Sequence, residues 1–218
     1  GLGIAVPKID GPLNLSVPAD GNVKRHQPRR VAPVLESSAA LSMAGTISDT
    51  VSSRMIAFLV ADGVDADSVE GVRAALTRAG AKVKLVAPRG GAVAASNGAS
   101  IPVDATFLTA SSVLFDAVYV PGAEASAQVL STTPAAIAFV AEAYKHCKAI
   151  GATGAGARLL AAASILDVDG NIERPPAPAS APAGVVVDAD GKLSQFVKAF
   201  LPAIAAHRHW TREEAPPS

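Results

Sequence analysis

Ala149-Ile150-Gly151-Ala152-Thr153-Gly154-Ala155-Gly156-Ala157-Arg158-Leu159-Leu160 is the stretch that decides the fold. Its first half reads as a short buried strand. The glycines at 154 and 156 permit a tight reversal, and the run from Ala157 starts a helix. Many α/β enzymes carry their nucleophile on such a strand–turn–helix, because the sharp turn lifts one side chain above the sheet edge. Gly154 occupies the tip here, and glycine has no side chain with which to react. The sequence predicts a catalytic elbow that lacks its reactive group.

Similar buried strands flank the elbow. Met55-Ile56-Ala57-Phe58-Leu59-Val60-Ala61 is a continuous apolar run, as expected of a strand covered on both faces. Asp62-Gly63-Val64-Asp65-Ala66-Asp67 supplies a turn and helix caps. Val69, Val72, Leu76 and Ala79 then recur at helical spacing, and Gly80 closes that helix. Lys82 to Ala87 is a second strand, stopped by Pro88-Arg89-Gly90-Gly91. This β–α–β order calls for a right-handed parallel crossover. A hairpin follows, with Ala92-Val93-Ala94 and Ser100-Ile101-Pro102-Val103 joined by the Ser96-Asn97-Gly98 turn. Asp116 to Gly122 is a strand, 134–146 a helix, and Lys148 to Ala152 the elbow strand. Ala157 to Ile165 is a helix and Pro175 to Pro182 a proline-rich loop. Gly184 to Val187 is a short strand, and Ser194 to Ala206 a final amphipathic helix. Strands alternating with helices define an α/β, doubly wound, mostly parallel sheet with helices on both faces.

Residues 1–53 differ in texture. Prolines at 7, 12, 18, 28 and 33 interrupt every periodic pattern. They predict an extended arm, disordered or laid across a partner surface, ahead of a domain spanning 54–218. The basic cluster Lys24-Arg25-His26-Gln27-Pro28-Arg29-Arg30 within it reads as a solvated linker. The first residues lack a signal peptide's pattern, and without an initiating Met the chain reads as a piece of something longer. Nineteen basic and nineteen acidic residues cancel, so nothing favours nucleic acid or an anionic membrane. No apolar run approaches the ~20 residues needed to span a bilayer. Cys147 is the single cysteine, which excludes an internal disulfide and fits a cytoplasmic setting.

In open α/β sheets ligands bind beyond the carboxyl ends of the strands. Asp62, Asp65, Asp67, Gly122, Glu124 and Thr153 to Gly156 fall there. Backbone N–H groups near Gly122 and Ala155 are candidate oxyanion donors. Thr153 is the nearest hydroxyl, but it lacks a base, and a structural role is the expected one. Asp65 reads as a helix cap. Gly90-Gly91 and Gly151-x-x-Gly154-x-Gly156 match neither nucleotide pattern. His146, His207 and His209 form no metal motif. His207-Arg208-His209-Trp210 reads as an anchoring tail and Cys147 as a packing thiol. No catalytic, cofactor-binding or metal-binding residue is assigned.

Met55 to Ile165 resembles the superfamily of class I glutamine amidotransferases and intracellular protease/deglycase proteins. The carrying segments are Phe58 to Ala61, Arg78 to Val83, Asp116 to Gly122 and the elbow. That family has a cysteine at the elbow followed two residues later by glycine. Gly156 matches the glycine, so Gly154 stands at the cysteine position. The family's acidic partner falls near Asp65, and its second glycine after the Pro-Gly turn is Ala123 here. These departures remove the family's chemistry.

A closer resemblance covers nearly the whole chain. Ala105-Thr106-Phe107, Phe115 to Gly122, Glu142 to Ile150 and Ala205-Ala206-His207-Arg208-His209-Trp210 look like the C-terminal domain of large-subunit haem catalases. The resemblance implies a flavodoxin-like domain and, in residues 1–53, the linker to a catalase body. It implies a parent that disproportionates hydrogen peroxide at a haem held upstream of Gly1, so Tyr119 and Tyr144 are not haem ligands. The implied partners are the catalase body and neighbouring subunits of a homotetramer. The implied role is to stabilise that tetramer and shape substrate access. A holdase that binds unfolded client proteins is one alternative. A residual deglycase or amidase using Thr153 is the other.

Overall fold

The computed structural model describes Ser38, Ala40, Ser42, Gly45 and residues 47–166, 181–188 and 192–212. Two compact units divide the chain, Gly1–Gly45 and Thr46–Ser218, and every regular element described belongs to the second. The expected arm lies in large part outside the described residues, as does most of the proline-rich loop at 175–182.

The elements run β1 (Met55–Leu59), α1 (Ala66–Arg78), β2 (Lys82–Ala87), β3 (Ala92–Ala94), β4 (Ser100–Pro102), β5 (Ala105–Thr106) and β6 (Ala117–Val120). There follow α2 (Glu124–Ser131), α3 (Pro134–Lys145), β7 (Ala149–Thr153), α4 (Ala157–Ala162), β8 (Val185–Asp188) and α5 (Leu193–Ala205). Six strands form one sheet in the order β5-β2-β1-β6-β7-β8, and all its pairs are parallel. The chain leaves β1 toward β2 and returns to its other side as β6, so the strand order reverses between them. Such a reversal opens a crevice at the carboxyl ends.

Alternation along β1 separates two cores. Ala57 and Leu59 face a cluster built with Phe139 and Val140 of α3, Leu159 and Leu160 of α4, and Leu130 of α2. Ile56 and Phe58 face the opposite cluster, with Val69, Val72 and Leu76 of α1 and Phe196, Phe200 and Ile204 of α5. A strand buried on both faces needs apolar residues at every position, which is why the strands read as unbroken runs.

The helix ends follow local chemistry. Asp65 caps α1, its side chain accepting the Asp67 N–H. Gly80, at φ +89°, ends it, with Gly80 N–H donating to Thr77 O and Ala81 N–H to Leu76 O. The hairpin β3–β4 is antiparallel, as expected from the Asn97-Gly98 turn. Helix α4 ends at Ala162, short of the expected Ile165. Ser164 enters the left-handed region at φ +56° and turns the chain. Helix α2 and strand β5 have no counterpart in the sequence reading.

Candidate functional site

The elbow has the geometry its sequence promises. β7 ends at Thr153, Gly154 to Gly156 make one tight turn, and α4 begins at Ala157. Gly154 sits at φ +48°, and a Cβ placed there meets only the Gly122 Cα at 3.6 Å. The tip therefore has room for a side chain, in a backbone conformation that disfavours one. Gly154→Cys is expected to fold at a cost of about 1–2 kcal/mol, the usual penalty of left-handed backbone for a residue with a Cβ. Native-state alkylation followed by mass spectrometry should label the introduced thiol and spare Cys147, which is 1% exposed. Equal protection of both thiols would show that the tip is closed to solvent.

Thr153 does not stand ready as a nucleophile. It is 3% exposed. Its Oγ1 accepts the Gly122 N–H at 2.9 Å and lies 2.9 Å from Tyr119 Oη and 3.3 Å from Ser68 Oγ. Tyr119 Oη and Ser68 Oγ are 2.7 Å apart, closing a triangle of hydroxyls under the elbow. Burial pushes the Tyr119 phenol up to about 12, with the Ser68 and Thr153 hydrogen bonds acting in the other direction. All three groups satisfy one another where water is excluded. The expectation that Gly122 donates to an oxyanion is corrected on this point: its single N–H already points at Thr153 Oγ1.

The acidic residues are placed apart. Asp65 is the cap of α1 described above. Asp62 Oδ1 accepts the Ala94 N–H at 2.9 Å and so fastens the hairpin. Glu124 opens α2 and pairs with Arg158 of α4, joining the two helices that flank the elbow. A cavity of about 350 Å³ lies beyond β1 and β2, lined by Ala61, Asp62, Arg89, Val93 and Val129 among others, and no elbow residue contributes to it. Among the described residues no three His, Cys, Asp or Glu side chains converge as metal ligands.

A second polar cluster closes the opposite end of the sheet. His209 N–H donates to Cys147 O at 2.7 Å, and Arg212 Nη1 donates to Lys148 O at 2.9 Å. The Arg212 guanidinium lies 4.6 Å over the Tyr144 ring. Tail anchoring is thus as expected, and Arg212 extends it. His207 Nε2 is 3.4 Å from Asp116 Oδ1, which also faces Arg54. Lys148 is 3% exposed and donates to Ser112 O at 2.6 Å. Burial, reinforced by the charge of Arg208 and opposed by Asp116, brings its ammonium down to about 8 from 10.5. The folded chain then holds this proton more weakly than the unfolded chain, so stability rises as pH climbs from about 8 toward 10.5. Urea unfolding at about pH 7.5 and about pH 9.5 should show a gain of about 1–2 kcal/mol that Lys148→Met abolishes. An identical gain in the variant would assign the effect to another group.

The comparisons with known proteins agree with this geometry. Residues 52–214 match the model of the C-terminal domain found in long catalases. A curated catalase HPII from Mycobacterium avium is 37% identical over 94% of this chain and 29% of its own length. A catalase HPII from Pseudomonas aeruginosa is 35% identical over 95% and 27%. The chain thus spans under a third of the length of these relatives. Among solved structures, a two-domain protein from Anabaena variabilis with DJ-1/ThiJ/PfpI-like and ferritin-like domains superposes with a TM-score of 0.61 at 20% identity. That match covers 71% of this chain and 49% of that one. The VC2308 protein gives 0.59 at 21% identity over 75% and 94%. At such identities the structures speak for a flavodoxin-like fold alone. Taken with the family match and the curated relatives, the sequence and its elbow lead to one assignment: this chain belongs to the family of C-terminal domains found in long catalases.

Proposed function

We propose that this chain is the non-catalytic C-terminal domain of a longer haem catalase and serves that enzyme as a structural part. The observation that carries the reading is the elbow, where Gly154 offers no side chain and Thr153 and the Gly122 N–H are bonded to each other. Peroxide disproportionation would belong to haem held elsewhere in the polypeptide. The residues present do not fit that group: the Tyr119 oxygen is enclosed by Ser68 and Thr153, and the Tyr144 ring lies under Arg212. In the parent the domain would bury surface against the catalase body and neighbouring subunits of a homotetramer, stabilising the assembly and shaping the route of substrate. A cytoplasmic setting, in which Cys147 stays a thiol, goes with this reading.

The test compares the parent enzyme with a version truncated before this domain, alongside the 218-residue chain itself. Removing the domain is expected to lower the temperature of inactivation and weaken subunit assembly, while the isolated chain, with or without added haem, leaves peroxide untouched. Peroxide turnover by the isolated chain would overturn the reading, as would unchanged stability and assembly in the truncated parent. Amidase or deglycase turnover that disappears in Thr153→Ala would overturn its non-catalytic part. A holdase role is the second reading, favoured by the exposed Leu108, Val113 and Leu114. It requires near-stoichiometric suppression of aggregation of a heated client.

A further inference from the structure

The connection from Phe107 to Phe115, between β5 and β6, has two unlike sides. Its inner side is fixed: Phe107 and Phe115 each lie against the Phe139 ring of α3, at 5.8 and 5.7 Å, and Ala110 is buried. Ser112 is buried as well, and its carbonyl accepts the Lys148 ammonium. The outer side carries Leu108, Val113 and Leu114, which are 92%, 73% and 61% exposed. Most large apolar side chains of the described residues are buried, so three exposed ones on a single connection are unusual in this fold. Ala105 to Phe115 also contains no charged residue. Depletion of charge around exposed apolar side chains marks the centre of protein interfaces.

The surface is held in place and is poorly suited to strand addition. β5 is an edge strand of two residues, and its last residue, Thr106, uses its own loop. Thr106 N–H donates to Thr109 Oγ1 at 3.0 Å, and its carbonyl accepts from Thr109 and Ala110 N–H at 3.0 and 2.9 Å. An edge whose backbone is engaged in this way resists pairing with another strand. What remains is a rigid, uncharged relief of side chains.

We infer that the outer side of Phe107–Phe115 is the surface by which this domain seats on the remainder of its own long polypeptide. The inference rests on the family reading above. Its occupant is chosen because matched relatives carry more than two thirds of their length outside the part this chain covers. A covalently continuous body is present at fixed stoichiometry and at high effective concentration.

Hydroxyl-radical footprinting of the full-length parent and of the 218-residue chain tests the inference. Leu108 and Leu114 should label readily in the isolated chain and lose labelling in the parent. The variant L108S/V113T/L114S should leave the melting of the isolated chain unchanged and speed proteolytic release of the domain from the parent. Equal labelling in both proteins overturns the docking surface, as does a variant parent cleaved at the wild-type rate. Protection by self-association of the isolated chain, with the parent still labelled, gives the face to a second copy and overturns it too. So does client protection that the variant abolishes while the parent stays labelled. A gene with no catalase body ahead of this domain defeats the family-based function itself, whereas a body with Leu108 still exposed defeats only this surface.

Discussion

Gly122→Ala should destabilise the domain by about 3 kcal/mol, a cost at the upper end of overpacking substitutions. The added Cβ would lie 2.4 Å from Thr153 O, 2.8 Å from Thr153 C and 3.1 Å from Gly154 N. All three are backbone atoms at the end of β7, so no rotamer change relieves the contact. The chain must instead open the β6–β7 ladder, which pairs Val120 with Ala152 just beside it. For a domain of this size that corresponds to a fall in melting temperature of about 6–12 °C. Gly98→Ala is the natural comparison. Gly98 has φ +84° and nothing within 4 Å of the added Cβ, so it carries only the backbone penalty, about 1–2 kcal/mol. Thermal melts followed by circular dichroism should therefore rank Gly122→Ala well below Gly98→Ala. Equal losses would mean that close approach of the two strand ends is not what requires glycine.

Phe200→Ala should cost about 3–5 kcal/mol, the usual range for truncating a buried phenylalanine. Phe200 is fully buried and stacks on Phe196 at 5.1 Å, with the Tyr119 ring 6.3 Å away. These rings press α5 onto β7 at Gly151, where a Cβ would approach Phe196 Cζ at 2.7 Å and Phe200 Cε2 at 2.9 Å. Glycine and ring are therefore coupled. Gly151→Ala alone is expected to be destabilising by roughly 1–3 kcal/mol. In Gly151→Ala/Phe200→Ala the methyl fills part of the space left by the ring, so the pair should lose less than the sum of the single losses. Urea unfolding of the four proteins measures this directly. Strict additivity would show that α5 and β7 adjust independently.

Strands and helices were legible to different degrees, for reasons visible in the residues. β1, β6 and β7 face helices on both sides, so their apolar runs are continuous and end at glycine, proline or aspartate. Capping made α1 legible, since Asp65 and Gly80 mark its two ends. Helix α2 leaves little mark in the sequence because Glu124-Ala-Ser-Ala-Gln-Val-Leu-Ser131 is short, starts from an Ala123 that offers no side-chain cap, and buries only Ser126, Ala127 and Leu130. Strand β5 is too short for any periodicity, and only its pairing with Val86 and Ala87 defines it. At the elbow the bare tip of the turn is legible in Gly154 directly. The hydroxyl triangle is not, because Ser68, Tyr119 and Thr153 lie on three separate elements that only the parallel sheet brings together. The Lys148–Ser112 bond is hidden for a further reason: its partner is a backbone carbonyl, which leaves no mark in side-chain chemistry.

The bond between Thr153 Oγ1 and the Gly122 N–H also sets what it takes to make this turn reactive. A single codon change at position 154 could place a thiol at the tip. It would find the nearby donor already engaged and no base in contact with the Thr153 hydroxyl. Freeing that donor requires removal of the neighbouring hydroxyl, which leaves the part-buried Gly122 N–H and the buried Tyr119 Oη each short of one partner while the direct Tyr119–Ser68 bond stays. Each step taken separately is expected to lower stability, through left-handed backbone at 154 and a lost hydrogen bond at 153. Placing a reactive group at this turn therefore takes more than one substitution, because the position that would hold the group and the position that engages the donor are neighbours in the chain.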